Sequence, residues 1–278
     1  MGEKGSRNQR LSRLTAASSC LLGLALGTFL ASPAIAGECG DRVRGERVAC
    51  ACGDVVVSDT RLRAGDPVTT TRCPVDGLIL RASAGSETLT LDLAGMAIVG
   101  RSEGIGVRVD EGGVDGARIV SSTEAAGEIV GFGTGILSPR PLELSRLENL
   151  AVKGNHDDGL RLRTAGTLII DVAAIDNGGD GIEMAGEGGR LVGVEAGGNR
   201  RVGLKLRTRG TVVGAKAIAN GGHGIISDGS RNDVSGVEAR DNGGVGVVVR
   251  GGRQRTLGLV SEGNLLGRLR QSSPELGE

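Results

Sequence analysis

The chain has 278 residues, with 33 basic and 33 acidic side chains, 51 glycines, and two phenylalanines as its only aromatic residues. Balanced charge argues against a nucleic-acid partner, which needs a basic face, and this glycine content with β-branched alternation argues against helical repeats. Without Trp or Tyr, a long sugar cleft lacks its stacking platform and tyrosine is not available as an acid or base.

Lys4, Arg7, Arg10 and Arg13 precede an apolar run from Cys20 to Leu30, and Ala34-Ile35-Ala36 follows it. This is the layout of a secretory signal peptide over residues 1–36, with a mature chain from Gly37. No later segment is apolar enough to span a membrane. The expected location is therefore secreted or periplasmic. Residues 1–36 hold four cations and Glu3, which leaves 29 basic and 32 acidic residues in the mature chain.

Residues 37–80 contain Cys39, Cys50, Cys52 and Cys73. Four cysteines in an exported chain indicate two disulfides, and three connectivities are open. We favour Cys39–Cys50 with Cys52–Cys73. A zinc site is disfavoured, because Cys50-Ala51-Cys52 has no nearby histidine and zinc pairs want wider spacing.

Residues 81–266 are dominated by a repeat. Asn155, Asn177, Asn199, Asn220, Asn242 and Asn264 are separated by 22, 22, 21, 22 and 22 residues. Four residues after each of the first five stands a glycine followed by an apolar residue, from Gly159-Leu160 to Gly246-Val247. Alternation around these marks, as in Leu160-Arg161-Leu162 and Leu204-Lys205-Leu206, predicts short strands with one buried face. About three strands per 22 residues leave no room for crossover helices. The simplest solution is a parallel β-solenoid of about seven turns, in which equivalent residues stack about 4.8 Å apart. The asparagines would form an internal amide ladder, and a glycine near each corner would permit positive φ. Residues 267–278 form a tail that covers the far end or frays.

The pattern N-x-x-x-G-[ILV]-x-[LVM] resembles the right-handed parallel β-helix repeat of pectate-lyase-like proteins, over roughly Gly104 to Asn264. The segment from Cys52-Gly53-Asp54 to Leu93-Ala94-Gly95 resembles the N-terminal part of bacterial exported β-helix proteins. The resemblance implies an all-β, right-handed parallel β-helix, monomeric, with a disulfide-stapled N-terminal cap over its open strand edges. It implies no single activity, because the family includes lyases, hydrolases, epimerases and proteins without known catalysis.

Within the repeat, Asn155-His156-Asp157-Asp158-Gly159, Gly179-Asp180-Gly181 and Gly222-His223-Gly224 resemble three motifs of polygalacturonase-type glycoside hydrolases. That resemblance would make Asp157 and Asp180 the catalytic carboxylates and His223 their helper. The chain departs from it in lacking a second aspartate at Asp180, in placing Val202 where the histidine belongs, and in lacking an R-I-K segment. Asp158 and Asp180 stack one turn apart, where a calcium ion of the pectate-lyase kind could sit between them, or where aspartate simply suits a turn. The column Arg161, Glu183, Lys205 alternates in sign; with Asp158 it is a candidate binding constellation, and it also supports register. The expected function is an exported β-helix protein, non-catalytic, that binds carbohydrate or a cell-envelope component, or serves structurally. Acidic polysaccharide is the candidate ligand. The alternative is a lyase or polygalacturonase-like hydrolase acting on acidic polysaccharide. No cofactor is required, with calcium as an option. A copper-enzyme maturation role lacks a Met/His/Cys cluster outside the cap.

Overall fold

A computed structural model describes residues 36–81, 88–110, 116–143 and 146–272. The expected signal peptide lies outside them apart from Ala36, as does the end of the tail, 273–278. Residues 36–278 form one compact unit. It is all β, with a single short helix, Pro67–Thr70, among the described residues.

Three columns of parallel strands build a right-handed coil of about nine turns. The first column starts at 38–39 and runs through Val55–Val56, Leu78–Leu80, Ile105–Val109 and Thr134–Glu143. It continues through Leu160–Ala165 and residues 182–187, 204–209, 225–228 and 247–250 to Leu269–Ser272. A second column follows from 60–61 to 255–257. A third runs from 97–99 to 260–262. The coil has more turns than the repeat suggests, because Leu78 stacks on Val107 and Val107 on Ile136 at separations of 29 residues. The longer connections hide those turns from a 22-residue period. Stacking also reaches beyond 81–266 on both sides.

Inside, like residues stack on like. The third column presents Ile129, Val152, Ala174, Ala196, Ala217 and Ala239 in register, all buried. The first presents Leu160, Ile182, Leu204, Ile225 and Val247. Alternation puts polar neighbours outside, which is why each strand reads with period two.

The asparagines form the internal ladder expected. Each side-chain Nδ2 donates to the Oδ1 of the next asparagine at 2.8–3.0 Å, from Asn155 through Asn264. The same Oδ1 accepts the preceding asparagine's backbone N–H at 3.0–3.1 Å. From Asn177 onward, Nδ2 also donates to a carbonyl of the turn before, as Asn199 does to Ala174 at 2.9 Å. Phe132 starts the ladder one turn earlier, its N–H donating to Asn155 Oδ1 while its ring fills the fully buried position.

The positive-φ corners are not at the motif glycines. They fall on the residue before each asparagine, Gly154, Asp176, Gly198, Ala219, Asp241 and Gly263, with φ between 54° and 64°. A second set falls six residues before each asparagine, from Asn149 to Gly258, at 50–64°. Glycine four residues after the asparagine serves closeness instead: a Cβ on Gly181 would stand 2.6 Å from Asn199 Nδ2 and 2.7 Å from the Gly203 carbonyl.

At the N-terminal end, Glu38–Val43 folds antiparallel onto Glu46–Val48. Cys39–Cys50 and Cys52–Cys73 are the bonded pairs, as favoured, each contributing about 3 kcal/mol. Arg47 holds both oxygens of buried Asp66 at 2.7 and 2.8 Å. That hydrogen bond, against the opposing cost of burial, raises the Arg47 pKa above its ordinary value.

Two substitutions test these constraints. Asn199→Ala should lower unfolding stability by about 3–5 kcal/mol, because it strips several buried donors and acceptors of partners at once. Ala219→Gly should raise it by about 0.5–1 kcal/mol, because a left-handed corner costs an L-residue about 1–2 kcal/mol and added chain entropy offsets part of the relief. Urea midpoints with an unchanged slope measure both; a lowered midpoint for Ala219→Gly would contradict the strain argument.

Candidate functional site

The turn after each asparagine leads into the first column, so residues 158, 180, 202, 223 and 245 form one column of their own. Asp158 and Asp180 are 1% and 2% exposed. Asp158 Oδ1 accepts the Asp180 backbone N–H at 2.8 Å, and Asp180 Oδ1 accepts that of Val202 at 3.0 Å. The other oxygens face cations. Asp158 Oδ2 meets Arg161 Nε and Nη2 at 2.8 and 2.7 Å, and Asp180 Oδ2 meets Lys205 Nζ at 2.8 Å.

His223 belongs to the same column and does the same work. Its Nδ1 accepts the Val245 N–H at 2.8 Å, which places the ring proton on Nε2. Val202 interrupts the series, since it offers no acceptor to the turn above. Asp157 is exposed at the neighbouring position of the turn. His223 lies two rungs from Asp180 and three from Asp158, about 14 Å along the stack. The structure therefore does not bring Asp157, Asp180 and His223 together around one reacting bond.

It does bring together Asp158, Arg161, Glu183 and Lys205. Arg161, Glu183 and Lys205 are directly in register on the outer side of the first column. Glu183 stands 3.2 Å from Lys205, 3.6 Å from Arg161 and 3.7 Å from Arg207. Arg201 approaches Asp180 at 4.0 Å. Burial works against the Lys205 ammonium, but hydrogen bonds and attraction from Asp180 and Glu183 outweigh it and raise its pKa above the usual lysine value. A cation seated between Asp158 and Asp180 would have to displace Arg161 and Lys205. No group of three or more His, Cys, Asp or Glu poised to hold a metal occurs among the described residues.

Beside this network lies a further row that the catalytic-type motifs do not include. Arg163, Ala185 and Arg207 are in register, so two exposed guanidiniums flank a methyl group from the rungs on either side. Arg163 has no ion-pair partner among the described residues. The signal was legible as the fourth residue after each motif glycine: Arg163, Ala185, Arg207, Asp228, Arg250.

The Lys205 geometry has a pH consequence. A raised pKa in the folded state means stability that is fully present below the unfolded lysine value, about 10.4, and lost as pH rises through the folded one. Lys205→Met should therefore be less stable than the parent by about 2 kcal/mol near neutrality, after allowing for partial exposure. The gap should close on the alkaline side of the ordinary lysine range. Urea unfolding from pH 7 to 11.5 checks this, and a constant gap throughout would refute it.

Residues 143–265 match the family model described as "Right handed beta helix region". Among solved structures, the chain is similar to the A-module of mannuronan C-5 epimerase AlgE4 from Azotobacter vinelandii. The identity is 13% and the TM-score 0.40, over 77% of this chain and 70% of that one. It is also similar to ORF18 of Geobacillus virus E2, at 10% identity and a TM-score of 0.29, over 83% and 56%. No curated protein matches the sequence. Strand register and the match over residues 143–265 together make this chain a right-handed parallel β-helix protein.

Proposed function

We propose that this is an exported β-helix protein that binds acidic polysaccharide without turning it over. The supporting observation is the cationic row on the outer side of the first column. Arg163 and Arg207 flank Ala185 in register, with Arg161 and Lys205 in the next row. Arginine forks bind carboxylates in bidentate fashion. Ala185 leaves room for a uronate carboxylate between two of them. With no aromatic platform, affinity on this flank rests on charge, so binding is weak and salt-sensitive.

The non-catalytic part of the reading rests on how the carboxylates are used. Asp158 and Asp180 are buried and already accept from backbone and cations, so neither is free to move a proton. No helix among the described residues is long and apolar enough to cross a membrane. Export is supported by the leader-like sequence of residues 1–36 and by two disulfides, which persist in oxidising compartments.

Affinity electrophoresis against polyuronates and a neutral glucan tests the reading. Polyuronate should retard the parent, neutral glucan should not, and Arg163→Gln/Arg207→Gln should weaken retardation about tenfold. Equal retardation by both polymers would refute the charge-based reading. Release of unsaturated products, lost in Asp157→Ala/Asp180→Ala, would overturn the non-catalytic one and favour a lyase.

A further inference from the structure

The last turn differs from its predecessors at the position that follows the ladder asparagine. Earlier rungs place glycine or polar residues there, Gly221-Gly222 and Gly243-Gly244 among them. The last rung places Leu265-Leu266, held by the same backbone bonds, to the Asn242 and Gly244 carbonyls. These leucines are 78% and 67% exposed. They do not continue the core. The second and third inner columns finish in Thr256 and Ser261, in register with Val234 and Ala239, and Ser261 Oγ donates to the Arg268 carbonyl at 2.8 Å, while the first finishes in Leu269 on Val247. Leu257, Val260 and Leu269 on the same turn are 40–49% exposed. Four large apolar side chains of this turn, Leu257, Val260, Leu265 and Leu266, are therefore exposed without extending the inner stack that Leu269 ends.

Cations stand on that turn too. Residues 251–278 carry four basic side chains and three acidic ones, of which Glu262 pairs with Arg240. Arg253, Arg255, Arg268 and Arg270 are exposed on this last turn, Arg268 and Arg270 within a few residues of the leucines, and none of them is paired with a carboxylate among the described residues.

We propose that this terminal turn docks on an anionic lipid surface. Leu265 and Leu266 enter the boundary between headgroups and acyl chains, while the surrounding arginines meet lipid phosphates. Each half of the patch needs this occupant for a different reason. Exposed leucines gain from leaving water, and arginines gain from a negative surface potential; interfacial binding sums the two. A soluble polyanion would engage the arginines and leave the leucines wet. A second copy in a two-fold contact would bring the same arginines against themselves. The site is separate from the polysaccharide-binding flank and does not depend on it.

The test is cosedimentation of residues 36–278, the compact unit, with vesicles of phosphatidylcholine alone and with about one-third phosphatidylglycerol. Using this unit removes the apolar leader, which would bind lipid by itself. The parent should bind the anionic vesicles and release at high salt. Leu265→Ser/Leu266→Ser should weaken binding about tenfold at an unchanged melting temperature, because both side chains are exposed. Arg268→Gln and Arg270→Gln should each cost up to about fivefold and serve as the decisive variants if the serine pair fails to fold. Equal binding to neutral vesicles, or binding to neither kind, would overturn the proposal. So would a concentration-dependent dimer in analytical ultracentrifugation that the serine pair abolishes while vesicle binding is absent. Retardation by polyuronate should be the same in parent and serine pair, so failure on the flank and failure at the end are read separately.

Discussion

The amide ladder is the constraint on which the rest of this molecule depends. A parallel coil has weak intrinsic register, because sliding a strand by two residues preserves its inside–outside alternation. A buried asparagine removes that freedom. Its oxygen must accept from both the backbone and the amide of the turn before, and its nitrogen must reach the next amide and, from Asn177 onward, a carbonyl. A shift in either direction would bury these groups unpaired, at about 1–3 kcal/mol each. The ladder therefore fixes where every outward residue sits. The left-handed corners, the close glycines and the charged rows are all consequences of turns locked at one spacing.

The aspartate column is a second, outer version of the same device. Asp158 and Asp180 accept a backbone N–H from the next turn, where the asparagines accept one from the turn before, and they carry charge, so each also needs a cation. Arg161 and Lys205 meet that need, and Glu183 links the two cations across the rungs. His223 shows that the position asks for an acceptor and not for a charge, since a neutral imidazole fills it through Nδ1. This explains how hydrolase-like motifs arise here without converging: a repeat that wants an acceptor before a glycine writes N-x-x-D-G and G-H-G for structural reasons.

Much of this was legible in the sequence, for a physical reason. Stacking translates a one-dimensional period into adjacency, so the spacing of Asn155 to Asn264 alone sets Arg161 beside Glu183 and Asp158 beside Asp180. The alignment could not say what the Asp158 carboxylate touches, because Arg161 and the Asp180 N–H lie at different distances along the chain and only rotamers decide. It also leaves open which residues take positive φ, since glycines hold only part of each corner column. Ala219, Asp176 and Asp241 occupy left-handed corners with side chains that do not announce it, and only Gly154, Gly198 and Gly263 in the same column reveal the requirement. The early turns around Val107 and Ile136 read as irregular because their 29-residue spacing breaks the period while their strand pairing does not.

Two surfaces remain once structural demands are subtracted, and they differ in kind. On the flank, the row Arg163–Ala185–Arg207 is cationic but flat and free of aromatic residues, so it can hold only charged groups and only loosely. At the end, Leu265 and Leu266 supply what the flank lacks, apolar area beside uncompensated cations. A coil is well suited to keeping these apart, because side residues repeat on every turn whereas end residues occur once. Nothing in the ladder requires Leu265-Leu266 where earlier turns hold glycine or polar pairs, and exposed leucines carry an aggregation cost without structural gain. The flank can therefore be explained by register support with binding added. Leu269 ends an inner stack, but Leu265 and Leu266 have no such structural explanation, which is why their chemistry points more directly to a partner.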